Sequence, residues 1–252
     1  MSGSGTPSRA HAATAAAAGP PAVAIEGLRA GYGESYVLHG VSFAIQPAEV
    51  FTVLGKNGMG KTTLLRTMMG FLPAQAGRVE LLGADVRGWP PYRITRQGVS
   101  YVPQEKALFQ DLSVEENLRL ALAGRPDFGD RLEAAVRWFP FLKARLRQRA
   151  GTLSGGEQKM LLIARALMAR PRLLLVDEIS EGLQPAVITR LTELLAEARR
   201  DAALTIVLVE QNVGFALALA DRYAVLKLGT IVETGRVADA GAREQVEQHL
   251  VI

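Results

Sequence analysis

The sequence predicts an α/β fold with a mostly parallel core sheet, an N-terminal antiparallel β-layer and an inserted helical subdomain. Short apolar runs alternate with helical patterns from residue 151 to 235, which is typical of a parallel sheet covered on both faces. Before that, strand-like runs broken by turns fill residues 22–54 and indicate a small mixed or antiparallel layer. Between about 105 and 150 helical spacing replaces the strand pattern, and we expect a helical subdomain there.

The individual elements follow from apolar runs, turn residues and helix-start signals. The predicted strands cover residues 22–28, 37–45, 49–55, 77–83, 98–104, 172–178 and 204–210, with a hairpin over 223–235. The predicted helices cover residues 61–71, 113–124, 130–151, 156–169, 186–200 and 213–220. The helix from residue 113 has the clearest start, because Ser113 and Glu116 have the spacing of a capping box.

Length and composition fit one large domain with an insertion. The chain has 252 residues, of which 48% are hydrophobic, and carries 29 basic against 25 acidic residues for a net charge of +4. This mild positive charge suits an anionic ligand or nearby anionic lipid, and does not by itself indicate nucleic acid. Cysteine is absent, which excludes disulfides and thiolate metal sites. No histidine lies between residues 40 and 248, so acid–base chemistry there must use carboxylates, lysine, tyrosine or the ligand.

Residues 1–21 are rich in Ala, Gly, Ser and Pro, and we predict a disordered extension. A signal peptide is the alternative, but its apolar segment would be mostly alanine and its charged start only Arg9. No apolar run in the sequence approaches the roughly 18 residues that a membrane-spanning helix needs. If the protein works at a membrane, another chain must provide the span.

A glycine-rich segment, "GKNGMGKTT", follows the apolar run at 49–55 and precedes a helical pattern. It matches G-x-x-x-x-G-K-[ST], in which glycines let backbone N–H groups wrap a polyphosphate at the start of a helix. Lys61 would add charge at the phosphates and Thr62 would bind Mg²⁺. An ordinary glycine-rich turn would not need the flanking strand and helix. We therefore predict nucleotide binding by Gly55, Lys56, Asn57, Gly58, Met59, Gly60, Lys61, Thr62 and Thr63.

Two acids, Asp177 and Glu178, end the apolar run "RLLLVDE". In open parallel sheets, ligands bind at the carboxyl ends of the strands. Asp177 would hold Mg²⁺, directly or through water, and Glu178 would orient and polarise an attacking water. Taken alone, the pair could also be solvated acids at a strand end; the phosphate loop favours the functional interpretation.

A third segment, "LSGGEQ" at Leu153–Gln158, places a serine and two glycines before a helix. Such a helix start can bind an anion, although an ordinary N-cap is the better interpretation of this segment in isolation. Its position matters more, because it lies after the helical insertion and before Asp177.

In this order, the phosphate loop, Gln104, "LSGGE" and "LLLVDE" resemble ATP-binding-cassette (ABC) ATPases over about residues 22–235. The "LSGGE" element separates that family from other P-loop proteins. "DEISEGLQPAVI" and "LVEQN" resemble the ATPases of importers for branched-chain amino acids and for urea or short-chain amides. The resemblance implies an ABC ATPase domain over residues 22–252, with 105–150 as its helical insertion.

The resemblance also implies cofactors and partners. ATP and Mg²⁺ would bind, and hydrolysis would drive two transmembrane permease chains that receive solute from an extracytoplasmic binding protein. Such a subunit lies at the cytoplasmic face of the bacterial inner membrane and works with a second ABC ATPase, for which we favour a different chain over a second copy. We expect no nucleic acid partner.

Several site residues follow from the resemblance alone. Tyr32 would stack on adenine, although a plain strand-end tyrosine is the alternative. Gln104 would touch Mg²⁺ or the attacking water and lie on the loop that couples to the membrane partner. Ser154 and Gly156, with Gly155 between them, would contact the γ-phosphate bound by the opposite subunit. Glu178 would be the catalytic base, assisted by Lys61.

Three positions depart from the commonest pattern of the family. Ile179 stands where proline is usual, which would alter only turn stiffness. Gln184 replaces an aspartate that helps to hold the two sites together. Gln211 replaces the usual histidine; its amide can donate a hydrogen bond to the γ-phosphate, across from Glu178, without titrating. We interpret both glutamines as features of the subfamily and include Gln211 among the catalytic residues.

Two alternatives belong to other functional classes. The first is a soluble ABC ATPase that acts on nucleic acid or ribosomes, although this chain shows neither two cassettes nor a long coiled coil. The second is a regulatory cassette that does not hydrolyse ATP. A cluster of basic residues in the helical insertion also has two interpretations. It is either a solvated helix face, which we favour, or a contact with permease or lipid. It consists of Arg131, Arg137, Lys143, Arg145, Arg147 and Arg149.

Overall fold

The computed structural model describes residues 19–104, 107–122 and 126–250. The strands are β1 (Val23–Tyr32), β2 (Ser35–Ile45), β3 (Val50–Leu54), β4 (Ala74–Leu81), β5 (Ala84–Asp85), β6 (Val99–Val102), β7 (Leu173–Asp177), β8 (Thr205–Glu210), β9 (Arg222–Lys227) and β10 (Thr230–Arg236). The helices are α1 (Lys61–Met68), α2 (Pro91–Arg96), α3 (Val114–Arg119), α4 (Phe128–Trp138), α5 (Phe141–Arg145), α6 (Gly155–Met168), α7 (Pro185–Ala202), α8 (Val213–Leu219) and α9 (Ala242–Leu250). Most of the predicted extension, residues 1–18, lies outside the described residues.

The N-terminal layer is an antiparallel sheet of strand order β2-β1-β4-β5. β1 pairs with β2 in a hairpin and with β4 on its other side. The antiparallel β-layer predicted from the sequence is confirmed, and the strand pair predicted around residues 77–83 is β4 with the short β5.

The core sheet has the order β10-β9-β3-β8-β7-β6. Its inner strands are parallel, and only the β9–β10 hairpin is antiparallel. β3, β7 and β8 are buried at every residue, because layers cover both faces of a parallel sheet. The carboxyl ends of β3, β6, β7 and β8 therefore meet at one margin of the sheet, which we call the carboxyl edge.

Two hydrophobic clusters fill the two faces of the core sheet. Alternate residues of β7, such as Leu173 and Leu175, face a cluster that includes β1, β2, β4 and α1. Their neighbours Leu174 and Val176 face a second cluster, which the longer helices form. This alternation is the period of two along a strand. None of the helices among the described residues combines the length and apolarity that a membrane span requires.

The helical insertion differs in detail from its prediction. Ser113 forms the expected capping box with Glu116, but α3 ends at Arg119 and a 3₁₀ turn follows. The single helix predicted over 130–151 is wrong, because the chain breaks between α4 and α5 at Phe139 and Pro140. Proline has no N–H to donate and disfavours helical backbone at the residue before it. The short α2 and the C-terminal α9 were not predicted.

The basic cluster is only partly the solvated face that the sequence favoured. That interpretation is wrong for Arg131, which is 7% exposed, pairs with Asp127 at 2.6 Å and donates to the carbonyl of Met168. Arg145 is half-buried and contacts Glu157. The other members of the cluster, Arg137, Lys143, Arg147 and Arg149, are exposed.

Candidate functional site

The phosphate loop leaves β3 through a backbone that only glycine fits at two points. A Cβ at Gly55 would lie 2.6 Å from the carbonyl oxygen of Leu226. Gly60 has a φ of +103° as the N-cap of α1, and a Cβ there would come within 2.9 Å of Leu38. Because the helix begins at Lys61, as predicted, its unpaired N–H groups lie at the loop, where they favour an anion.

The rest of the loop is divided between surface and core. Asn57 and Gly58 are exposed at its tip. The carbonyl oxygen of Met59 accepts a hydrogen bond from the backbone of Gly229 in the β9–β10 turn, at 3.1 Å. Thr63, in contrast, is buried in the first turn of α1. The turn of the loop is thus open to a ligand while its base is packed against the sheet.

The side chain of Lys61 folds back over the loop. Its ammonium donates to the carbonyl oxygens of Gly55 and Lys56 at 2.7 and 2.8 Å. It also pairs with a carboxylate oxygen of Glu178 at 2.8 Å, and the Lys61 side chain is only 2% exposed. A buried charge needs such partners, and here they hold the charge at the centre of the loop.

Asp177 lies beside the loop with both carboxylate oxygens engaged. Thr62 donates its hydroxyl to one oxygen at 3.1 Å and Tyr101 donates its hydroxyl to the other at 2.9 Å. Burial raises the pKa of the Asp177 carboxyl, and these two hydrogen bonds oppose that shift. The pKa of Tyr101 is also raised, first by burial and then by the charge of Asp177.

The donor set around Asp177 fits Mg²⁺. Hard oxygen ligands suit this ion, which is commonly held by one or two carboxylates together with substrate phosphates. The Thr62 hydroxyl and the Asp177 carboxylate are in contact, and both face the phosphate loop. Among the described residues no cluster of three or more His, Cys, Asp or Glu side chains could hold a metal ion.

Glu178 follows β7 in a left-handed backbone conformation with a φ of 44°. This region is costly for a residue with a side chain and persists only when the surroundings enforce it. Its N–H donates to the carbonyl of Val209 at 3.0 Å, while its carboxylate contacts Lys61 and the amide of Gln104, each at 2.8 Å. The turn thus directs the Glu178 carboxylate toward the phosphate loop.

Gln104, just after β6, contacts residues of the loop after β7 and of helix α6. Its amide nitrogen donates to Glu178 at 2.8 Å and to Glu181 at 2.5 Å. Its backbone carbonyl accepts a hydrogen bond from Lys159 of α6 at 2.7 Å. The loop after β6 is therefore tied both to the acids after β7 and to the helical side of the molecule.

Gln211 is exposed at the end of β8. Its backbone N–H donates to the Glu210 carboxylate at 3.3 Å. Glu178, Glu181 and Gln211 line one cleft. The structure therefore brings Gln211 to the same edge as Glu178, and its contact with the γ-phosphate stays a prediction.

The LSGGE segment (Leu153–Glu157) lies on the helical side, where Ser154 caps α6. Ser154 donates its hydroxyl to Glu157 at 2.8 Å and accepts the N–H of that residue at 3.3 Å, a complete capping box. Hydrogen bonds from Ser154 lower the pKa of the Glu157 carboxyl, with a further contribution from Arg145. A Cβ at Gly156 would meet Val187 at 3.1 Å. The hydrogen bonds of Ser154 are thus local to its own turn, and its contact with the γ-phosphate stays a prediction.

Of the remaining predicted positions, Tyr32 and Gln184 lie at the surface and Ile179 lies in the core. Tyr32 ends β1 with 48% of its surface exposed, beside the hairpin turn to β2. Gln184 is an exposed N-cap of α7 without a side-chain capping bond. Ile179 is fully buried, so the residue at this usual proline position adds apolar packing.

Some contacting residues were not predicted from the sequence: Tyr101, Lys159, Glu181 and Glu210. Glu181 and Glu210 lie inside the segments "SEGLQ" and "LVEQN", so a closer examination of those segments could have marked them. Tyr101 and Lys159 stand in ordinary strand and helix patterns, which give no signal of their role.

Comparison with known proteins gives a consistent result. Residues 38–181 match a family model described as ABC transporter. The chain is 43% identical over 203 residues to the high-affinity branched-chain amino acid transport ATP-binding protein BraG of Pseudomonas aeruginosa, covering 80% of this chain and 87% of that protein. It is 38% identical over 224 residues to a probable branched-chain amino acid transport ATP-binding protein, LivF, of Archaeoglobus fulgidus, covering 88% and 92%.

A second ATP-binding protein of Pseudomonas aeruginosa and a solved structure are also similar to this chain. BraF, another high-affinity branched-chain amino acid transport ATP-binding protein of Pseudomonas aeruginosa, is 30% identical over 233 residues, covering 85% of this chain and 91% of that protein. Among solved structures, the ADP conformation of an ATP-binding cassette of an ABC transporter superposes with a TM-score of 0.77. The two chains are 26% identical, and the match covers 91% of this chain and 94% of that one.

Proposed function

We propose a specific transport role for this chain, which belongs to the ABC transporter family: it is the ATP-hydrolysing subunit of an importer for branched-chain amino acids. Members of the family couple ATP hydrolysis to transport, and the chain is such an ATPase. The names of the three relatives all refer to branched-chain amino acids, which favours that solute class over urea or short-chain amides. The observation that carries the catalytic role is the direct contact of Lys61 with Glu178 beside the phosphate loop.

ATP binds at the loop Gly55–Thr63. Backbone N–H groups of the loop and of the first turn of α1 surround the phosphates, and the ammonium of Lys61 lies at the loop centre to meet their charge. Tyr32 is about half exposed, so its ring is accessible for stacking on adenine.

Hydrolysis begins when the Lys61 ammonium exchanges the Glu178 carboxylate for a phosphate oxygen of ATP. In this structure, the Glu178 carboxylate pairs with the Lys61 ammonium and accepts a hydrogen bond from the Gln104 amide. A phosphate oxygen that takes the ammonium releases the Glu178 carboxylate to accept a proton from the attacking water. Gln104 then keeps that carboxylate in place while Gln211, in the same cleft, donates its amide to the γ-phosphate.

Thr62 and Asp177 are the residues that would hold Mg²⁺, with Gln104 nearby. The ion, when bound, neutralises charge that develops on the phosphates. Tyr101 fixes the Asp177 carboxylate from the other side, so the oxygen that faces Thr62 keeps its orientation.

The second cassette is a different chain. Pseudomonas aeruginosa has two proteins of this class, BraG and BraF, and this chain is more similar to BraG, at 43% against 30% identity. We therefore expect a BraF-like partner. In the LSGGE segment Ser154 and Gly155 are exposed. The segment of each chain would cover the γ-phosphate held by the other, so that Ser154, Gly155 and Gly156 complete the partner's site.

A groove beside Gln104 is the docking surface for a permease. Phe71, Phe109 and Leu120 line it and are between 51% and 58% exposed, a clustering of large apolar side chains that marks a protein-binding surface. Arg165 lies at the same groove. Since Gln104 connects this groove to Glu178, permease binding and hydrolysis share one loop. The protein then lies at the cytoplasmic face of the inner membrane, with solute delivered by an extracytoplasmic binding protein.

The test is the assembled transporter in lipid vesicles, with Glu178→Gln as the matched variant. We expect ATP hydrolysis and leucine uptake by the wild type, and a loss of hydrolysis of about 100-fold or more in the variant, with ATP binding retained. The absence of hydrolysis by the wild type with its permease present would instead support a non-hydrolysing cassette. Stimulation by DNA, RNA or ribosomes rather than by the permease would support the nucleic acid alternative.

A further inference from the structure

Glu210 is a buried carboxylate at the carboxyl edge to which the proposed mechanism gives no role. It ends β8 and is 1% exposed, although the neighbouring Gln211 is exposed. Burying a carboxylate costs several kcal/mol unless hydrogen bonds or charges compensate, and burial raises the pKa of Glu210.

The partners of Glu210 come from the loop that follows β7. One carboxylate oxygen accepts the backbone N–H of Ser180 at 3.0 Å, and the other accepts the Ser180 hydroxyl at 2.7 Å. Ser180 is itself 4% exposed. Backbone hydrogen bonds from Gln211 and Asn212 also reach the carboxylate. The Glu210 side chain therefore joins the loop after β7 to the loop after β8.

The backbone of Glu210 makes a third connection. Its carbonyl accepts the N–H of Gly55, the first residue of the phosphate loop, at 3.2 Å, and Glu210 pairs in register with Leu54 of β3. One residue thus contacts the loops that carry Lys61, Glu178 and Gln211. A residue that only ended β8 would bond to the loop after β8 and not to the loops after β3 and β7.

The strained turn at Glu178 explains why this connection matters. A left-handed non-glycine residue needs restraint on both sides. On one side the Glu178 N–H is held by the carbonyl of Val209, and two residues further on the Ser180 N–H is held by Glu210. Consecutive residues of β8 therefore anchor the backbone both at Glu178 and just after it.

We propose that Glu210 is a positioning residue for ATP hydrolysis: by clasping Ser180, it holds the Glu178 carboxylate and the Gln211 amide at a fixed separation. The inference rests on the proposed roles of Glu178 and Gln211. Glu210 touches neither nucleotide nor water in this scheme, so its loss slows the chemical step and leaves ATP binding by the phosphate loop in place.

Three variants in the assembled transporter test the clasp. In Glu210→Ala both bonds to Ser180 are lost, and we expect kcat to fall about tenfold or more while KM for ATP changes less than about threefold. In Glu210→Gln the amide can accept the Ser180 N–H and donate to the Ser180 hydroxyl. It loses the longer bond from the Gln211 N–H, at 3.3 Å, but keeps both bonds to Ser180, so kcat should stay within about threefold of the wild type. Ser180→Ala should lower kcat by less than Glu210→Ala, because the backbone bond remains.

The matched control is Thr205→Val at the opposite end of β8. Thr205 is also buried, at 2% exposed, and its hydroxyl accepts the N–H of Ala48 at 2.9 Å, far from the carboxyl edge. We expect this variant to lower the melting temperature and leave kcat unchanged. If Glu210→Ala does not fold, Ser180→Ala decides the question: a fall in kcat no larger than that of Thr205→Val then overturns the clasp.

The outcomes separate this inference from the proposed function. A fall in kcat no larger for Glu210→Ala than for Thr205→Val, or a fall in Glu210→Gln as large as in Glu210→Ala, overturns the clasp. A rise of KM in proportion to the loss of kcat/KM also overturns it, because the residue would then act on ATP binding. Failure of the proposed function gives a different pattern, in which wild type and Glu178→Gln are equally inactive.

Discussion

The carboxyl edge and the LSGGE segment are built in opposite ways. At the carboxyl edge, side chains from separate loops already contact one another: Lys61 with Glu178, and Gln104 with Glu178. In the LSGGE segment, Ser154 bonds to Glu157 of its own turn. The first region has its contacts inside one chain, whereas the bonds of Ser154 are the local ones of a helix cap. Under the proposed pairing of two cassettes, the ATP site would be divided between a self-sufficient half and a half that acts only in a pair.

The largest effect is expected for Ser154→Ala. We expect ATP binding by the single chain to be unchanged and hydrolysis by the assembled transporter to fall about 100-fold, the effect of removing one hydrogen-bond donor to developing charge. The measurements are nucleotide affinity of the chain and ATPase rate of the complex. A loss of ATP affinity in the single chain would place Ser154 in its own site.

The chain offers a matched control for the structural part of this effect. Ser113 forms the same capping box with Glu116 at the start of α3 as Ser154 does with Glu157 at the start of α6. Each change to Ala removes one cap, worth about 1 kcal/mol of stability. Ser113→Ala should therefore lower the free energy of unfolding to a similar extent without changing the hydrolysis rate. Equal losses of activity in the two variants would mean that capping alone explains Ser154.

Continuous sequence motifs could be predicted, whereas contacts between residues far apart in the sequence could not. The phosphate loop and the Asp177–Glu178 pair are continuous motifs with strand and helix contexts, and the structure has both elements as expected. The contacts of Tyr101 with Asp177 and of Ser180 with Glu210 are not visible in the sequence, since they join residues 76 and 30 positions apart. Such contacts depend on which strands are neighbours, and strand order is set by the whole fold. The break between α4 and α5 was missed for a local reason, because the apolar helical spacing continued past Pro140.

Gln211 gives a smaller effect within the self-sufficient half. Gln211→Ala removes an exposed amide from the cleft that Glu178 lines, and we expect hydrolysis by the complex to slow about tenfold. Gln211→His should restore part of the rate, because an imidazole N–H can also donate to a phosphate oxygen. The measurement is the ATPase rate of both variants at saturating ATP. Unchanged turnover in Gln211→Ala would reduce this residue to the end of a strand.

The smallest effect is expected at the ion pair behind the LSGGE segment. Arg145 of α5 contacts the Glu157 carboxylate at 3.1 Å, and that carboxylate would face the phosphates bound by the partner cassette. Arg145→Ala removes a cationic partner of the Glu157 carboxylate and leaves its hydrogen bonds from Ser154. We expect hydrolysis by the complex to fall about threefold, as suits a partly exposed pair. In a Glu157→Gln background no charge needs compensation, so adding Arg145→Ala should have no further effect. A threefold fall in that background as well would show that Arg145 acts through α5 packing rather than through the charge of Glu157, and the division of the site would then rest on Ser154 alone.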